Sequence, residues 1–241
     1  MTAASGGPPQ LGARAAVAVA FCPSPPLLLP AVEGRAEPAT TALRAACTEA
    51  VGEMLAVRPE VVVVVGDGAP PGTRFGPGDG GDLRGFGVDV TVPFAGRVRP
   101  GGRRMPVSLT LGAWLLDEAG FADTRVGVAP PDLGQLVRDL PGPLGVLAMG
   151  DGSARRTARA PGYLDEAAVP FDTAVAAALA AGDAAALASL DEDEGARLLA
   201  AGVPTWRAVG AALRGREISA RLHLHDAPFG VGYLAAAWTA A

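Results

Sequence analysis

Apolar runs that end in corners of small, rigid residues constrain this chain more than any other feature. The first, Ala15 to Cys22, runs into Pro23-Ser24-Pro25-Pro26-Leu27-Leu28-Leu29-Pro30. The second, Val61 to Val65, runs into Gly66-Asp67-Gly68-Ala69-Pro70. A third, Leu144 to Met149, runs into Gly150-Asp151-Gly152-Ser153-Ala154-Arg155-Arg156. A continuous β-branched run suits a central strand covered on both faces. In open α/β sheets, ligands sit beyond the carboxyl ends of such strands.

The segments between these runs read as helices and strands in alternation. Thr40 to Val57 carries Ala, Leu, Val and Met at helical spacing, with Arg44, Glu49 and Glu53 among them, which predicts an amphipathic helix ended by Pro59. Pro70 to Gly85 is rich in Gly, Pro and Asp and predicts a mobile loop. Gly76, Gly78 and Gly81 in that loop match a dinucleotide-binding spacing by letter alone. No strand leads directly in, no helix follows and Pro77 interrupts, so the match carries no weight. Phe86 to Phe94 alternates as a strand does, Pro106 to Ala119 reads as a helix, and Thr124 to Val128 reads as a strand. Asp132 to Asp139 reads as a short helix before the Leu144 run. Asp172 to Ala181, Ala184 to Leu190, Glu194 to Ala201 and Thr205 to Leu213 are candidate helices, divided by Gly182, Gly202 and Pro204. The acidic run Asp191 to Glu194 suits a helix start, where carboxylates meet the positive end of the dipole. Ile218 to His225 and Gly230 to Trp238 predict two closing strands. The whole predicts one α/β/α sandwich over residues 13–241, with a central mixed sheet and a C-terminal antiparallel hairpin, behind a flexible tail over residues 1–12.

Composition narrows the function classes. The 241 residues are 49% hydrophobic and carry a net charge of −5, with every one of the 20 basic residues an arginine. That balance lacks the basic footprint of a nucleic-acid binder. The Leu27-Leu28-Leu29 run is fenced by prolines, which leaves no transmembrane span. The apolar run before Cys22 is at the short limit for a signal sequence, and Phe21 is too bulky for its cleavage site. The expected location is therefore the cytoplasm. Cys22 and Cys47 read as two buried free thiols rather than a disulfide framework.

The order of corners, followed by Tyr163, Phe171-Asp172 and Asp226-Ala227-Pro228-Phe229-Gly230-Val231-Gly232-Tyr233, resembles one family over Ala15 to Trp238. It is similar to the catalytic-subunit superfamily of class III extradiol ring-cleavage dioxygenases, whose relatives include the Memo-type proteins. That resemblance implies a non-haem Fe(II) held by two histidines and a glutamate, and assembly with partner chains or as a homo-oligomer such as a dimer. It also shows where this chain departs. Ser24 stands where relatives have the histidine of Pro-His-Pro-Pro, and Asp67-Gly68 stands in place of a Pro-His turn. Ala154 stands where Gly-Asp-x-Ser is followed by histidine.

The expectation is therefore a scaffold that has lost its iron and needs no cofactor. It would bind a small polar or aromatic molecule, or regulate, through Ser24, Asp67, Gly68, Asp151, Ser153, Arg155 and Arg156. Hydroxyls, carboxylates and arginines together suit charge-assisted recognition. The alternative for Asp67, Asp151 and Ser153 is that they cap turns and helices, as such residues do. The competing enzyme reading is a working iron dioxygenase whose metal sits on Asp67, Asp151 and one of His223 or His225. On a regular strand those two histidines point to one face about 7 Å apart, with Asp226 the nearest third ligand. No nucleophile elbow surrounds Ser24 or Ser153, and Cys22 has no local activating partner, which argues against hydrolase chemistry.

Overall fold

The computed structural model describes residues 15–241; the expected tail over residues 1–12 lies outside them. Strands β1 (Val17–Cys22), β2 (Val61–Val65), β5 (Thr124–Val128), β6 (Leu144–Met149), β7 (Ile218–Asp226) and β8 (Tyr233–Ala240) form one six-stranded sheet in the order β5-β2-β6-β1-β8-β7. β1, β2, β5 and β6 run parallel, and β8 and β7 close the sheet as an antiparallel hairpin. This is the expected α/β architecture with a mixed sheet. β3 (Gly80–Asp82) and β4 (Thr91–Pro93) make a separate two-stranded ribbon.

Helices cover both faces. On one side lie α1 (Pro30–Glu33), α2 (Pro38–Ala56) and α3 (Val107–Glu118); on the other lie α4 (Leu133–Asp139), α5 (Ala168–Ala181), α6 (Ala184–Ala188), α7 (Glu192–Arg197) and α8 (Val203–Leu213). The period of two along each strand divides the core cleanly. Val17, Val19, Phe21, Val63 and Val65 pack with α4, α5, α6 and α8. Ala18, Ala20, Cys22, Val62 and Val64 pack with α2 and α3. Alanines at the second set of positions on β1 and β8 let α2 lie close to the sheet. Both thiols, Cys22 and Cys47, are free and buried. Contact with Cys47, together with burial, pushes the Cys22 thiol well above its ordinary range.

Three expectations are corrected. Pro70–Gly85 is tied down rather than mobile: Phe75 exchanges backbone hydrogen bonds with Gly127 at 2.8 and 3.0 Å, closing the β5 edge. Within the same loop the buried Asp79 accepts from the Gly76 and Arg103 backbone N–H groups and pairs with the Arg103 guanidinium at 2.7 Å. Phe86–Phe94 is a strand only over Thr91–Pro93, because Gly87 turns left-handed after a short 3₁₀ turn and leaves Phe86 exposed. The helices between β6 and β7 are also shifted: α5 begins at Ala168, so Asp172 lies inside it and not at its start. The acidic run caps α7 as expected, with Asp191 accepting from the N–H groups of Asp193 and Glu194 at 2.9 and 3.0 Å.

Candidate functional site

The parallel order β2-β6-β1 places three strand ends side by side at one edge of the sheet. Cys22 is in register with Met149, and the Gly150 N–H donates to the Cys22 carbonyl at 3.0 Å, carrying the ladder into the corner. Just beyond, the Ser24 backbone N–H donates to Asp151 Oδ1 at 2.7 Å. The proline-rich corner that aims this N–H is itself pinned: Arg44 on α2 donates to the Leu28 and Leu27 carbonyls at 2.7 and 3.0 Å and pairs with Glu33. Ser24 thus contributes its main chain, and its hydroxyl makes no hydrogen bond within the described residues.

Asp67 follows the end of β2, and the Ser108 hydroxyl from α3 donates to its backbone carbonyl at 2.7 Å. Asp67 keeps solvent contact, but partial burial raises its carboxyl above the ordinary range against hydrogen bonding from Ser108. Asp151 is affected more. Burial pushes its carboxyl up to about 7, the nearby Asp67 charge pushes the same way, and the Ser24 N–H pulls back. Tyr233, the first residue of β8, is 3% exposed; burial and the Asp151 charge both raise its phenol. Among the described residues its hydroxyl has no hydrogen-bond partner. The site is thus Ser24, Asp67, Asp151 and Tyr233 on four adjacent strands.

A cleft of about 500 Å³ opens beside Asp67, walled by Ala196, Leu199, Ala201, Val203 and Pro204, with Glu192 at its rim. The segment between α7 and α8 closes over the third corner because the Gly202 N–H donates to the Asp151 carbonyl at 2.8 Å. A side chain at residue 150 would place its Cβ 2.4 Å from the Gly202 Cα, so the corner needs glycine there. Leu199 holds a left-handed backbone at φ 56° and is 50% exposed at the cleft edge. Non-glycine residues in that region carry strain and cluster at functional sites.

Neither a family model nor a curated protein sequence matches this chain. The geometry of the corners is what defines the site.

That geometry separates the remaining candidates from the cleft. Gly68 serves the turn itself, with φ 76°. Ser153 is fully buried: its N–H donates to Asp172 Oδ1 at 2.9 Å, and its hydroxyl donates to the Leu198 carbonyl at 2.8 Å and accepts from the Arg155 N–H. Arg155 spends its guanidinium on the Gly162 and Arg197 carbonyls at 2.7 and 3.0 Å. Arg156 pairs with Asp172 at 2.8 Å, where the Asp172 side chain is 0% exposed. Burial raises the Asp172 carboxyl, with Ser153 and Arg156 opposing it. These residues build the loop after β6.

The histidine pair is corrected as well. A β-bulge between Leu222 and Leu224 shifts the register of β7 by one residue, and His223 sits at that bulge. His223 faces α2, with Nδ1 3.0 Å from Glu49 Oε2. His225 faces the opposite side of the sheet, with Nε2 3.5 Å from the Arg156 guanidinium, and burial and that cation both lower its pKa. A bulge inverts the side of every later residue, so His-x-His cannot clasp one ion here.

The donors present do not match the iron that the resemblance implies. A facial iron site takes two imidazoles and one carboxylate. The corners offer two carboxylates and a main-chain N–H, and both histidines point elsewhere. Among the described residues no group of three or more His, Cys, Asp or Glu side chains could hold a metal ion. The described chain also has no helix long and apolar enough to cross a membrane.

Sequence reasoning missed Tyr233 as a site residue although it closes the motif that begins at Asp226, because alternation alone does not say which strands adjoin. It missed the cleft wall because α7 and α8 read as ordinary apolar helices.

Proposed function

We propose that this chain is a small-molecule-binding protein on an extradiol-dioxygenase-like scaffold, working without the iron of the enzymes it resembles. The ligand enters the cleft between the second strand corner and the α7–α8 segment. Asp67 and Asp151 address its polar group. The observation that carries this reading is the Ser24 N–H bond to the Asp151 carboxylate at 2.7 Å, which ties two corners together beside the third. Pockets of a few hundred Å³ with apolar walls and a few convergent polar groups are the usual form of small-ligand sites. Asp151, poised at about 7, can also take up or release a proton near neutrality. The pair thereby supports proton transfer in a bound substrate as well as binding.

A screen of small ring-containing fragments by amide NMR tests the reading. Binders should shift the resonances of Asp67, Asp151 and Ala201 together. Binders that shift only distant residues, or a complete absence of binders, would contradict it. Exposure to excess Fe(II) followed by desalting tests the loss of iron: retained metal should fall far below one ion per chain. Stoichiometric iron with catechol-dependent oxygen uptake would restore the oxygenase reading.

A further inference from the structure

The two edges of the six-stranded sheet are finished differently. At the β5 edge, Phe75 exchanges backbone hydrogen bonds with Gly127 at 2.8 and 3.0 Å and occupies the ladder. The other edge is β7, the last strand in the order β5-β2-β6-β1-β8-β7. Among the described residues no strand or loop backbone pairs with its outer side. On its inner side the Ala241 N–H donates to the Glu217 carbonyl at 3.2 Å. Backbone groups alternate sides along an antiparallel strand, so Glu217, Ser219 and Arg221 turn their main-chain groups to β8. Ile218, Ala220 and Leu222 present their N–H and C=O groups outward.

Natural proteins blunt such edges with prolines, bulges or charge. The bulge between Leu222 and Leu224 does this for the second half of β7. The first half keeps a regular register with β8 from Ile218 to Leu222 and contains no proline. Its one charge is Arg221, whose side chain is 70% exposed. Glu217 stands just before the strand and is exposed, and its carboxylate has no partner among the described residues. Ser219 lies midway between the two.

We infer that the first half of β7 pairs with the same segment of a second copy of this chain, antiparallel, about a two-fold axis beside Ser219. In that register Ser219 opposes its own equivalent and Glu217 opposes the other copy's Arg221. Symmetry repeats the charge pair on the far side of the axis. These are the non-hydrogen-bonded positions of the new ladder, where opposed side chains come closest. Ile218 and Ala220 take the hydrogen-bonded positions and supply about four backbone hydrogen bonds between the copies. A cation on an edge normally repels a second copy of that edge, but this register answers Arg221 with Glu217. Arg221 keeps Glu53 at 3.0 Å and has further N–H donors for the second carboxylate. An axis beside Arg221 would set like charges face to face, and one beside Ala220 would leave Arg221 opposite a serine. A strand from an unrelated protein would lack this reciprocity. On the helical side, α5 lies over β7. Its exposed positions, among them Thr173, Ala177 and Ala181, carry no charge, so two copies meet there without burying one.

Sedimentation velocity of the full chain from about 1 µM to about 1 mM tests the pairing. The chain should be dimeric at the upper end of that range. Glu217→Arg and Arg221→Glu should each weaken the dimer at least about tenfold, because each sets two like-charge pairs face to face. The double variant restores opposite charges and should return the affinity to within about threefold of the original. Ala220→Pro removes an outward N–H without touching the β8 ladder and should also favour the monomer. A chain that stays monomeric throughout would overturn the inference. So would a dimer indifferent to both single reversals or to Ala220→Pro, or a double variant that associates no better than either single one. Glu217 and Arg221 are both exposed, so the reversals should leave the circular dichroism spectrum unchanged.

Discussion

Two acids flank the loop after β6, and they live in opposite circumstances. Asp172 is completely buried, yet each of its oxygens is answered: Ser153 N–H donates to one at 2.9 Å and Arg156 to the other at 2.8 Å. Asp151, on the same loop as Ser153, has one backbone N–H, a like-charged neighbour in Asp67 and, among the described residues, no ion-pair partner. The difference separates a carboxylate that holds the loop from one that the loop leaves open. It also explains why Arg155 and Arg156, expected in the ligand site, are absent from it.

The largest effect should come from breaking the satisfied pair. Arg156→Ala leaves an uncompensated buried carboxylate and should cost about 3 kcal/mol in denaturant unfolding, since removing one partner of a buried ion pair strands the other. A loss below about 1 kcal/mol would show that the loop does not depend on it.

The next effect has the opposite sign. Asp151 has its folded-state value raised from 3.8 to about 7, so between those values the folded protein binds more protons than the unfolded chain. Its contribution to stability therefore falls as pH rises through that window, by up to about 4 kcal/mol for an unscreened group at 1.36 kcal/mol per unit. Asp151→Asn keeps an acceptor for the Ser24 N–H and removes the penalty. The variant should gain about 2 kcal/mol at pH 8 and nothing at pH 4, measured by unfolding across pH.

Smaller effects mark the borders of the comparison. Asp191→Ala removes two capping hydrogen bonds at the start of α7, beside the cleft wall, and should cost about 1 kcal/mol in thermal unfolding. Arg221→Ala, at an ion pair with Glu53 whose arginine side chain is 70% exposed, should change stability by less than about 0.5 kcal/mol. A larger change would mean that the β7 edge carries more of the fold than its exposure indicates.

The strands were the most legible part of the sequence. Val61–Val65, Thr124–Val128 and Leu144–Met149 coincide with their expected bounds, because short apolar runs fenced by Gly, Pro and Asp leave few alternatives. The meeting of Ser24, Asp67 and Asp151 followed from parallel order. Other features depend on events with no local signature. The bulge at His223 changes a register that alternation assumes to be constant. The choice of Asp172 by Arg156 is made across 16 positions of chain, and the approach of His225 to the same arginine across 69. Phe86–Phe94 alternated convincingly, but Gly87 decided the backbone there.

The central claim is that Asp151 and Asp67 are neighbouring acids with no cation paired to either among the described residues. Titration of the Asp151 side-chain carboxyl by carbon-13 NMR tests it most directly. A midpoint near 7, moving downward in Asp67→Asn, is the predicted result; a midpoint near the ordinary 3.8, indifferent to that substitution, would contradict it.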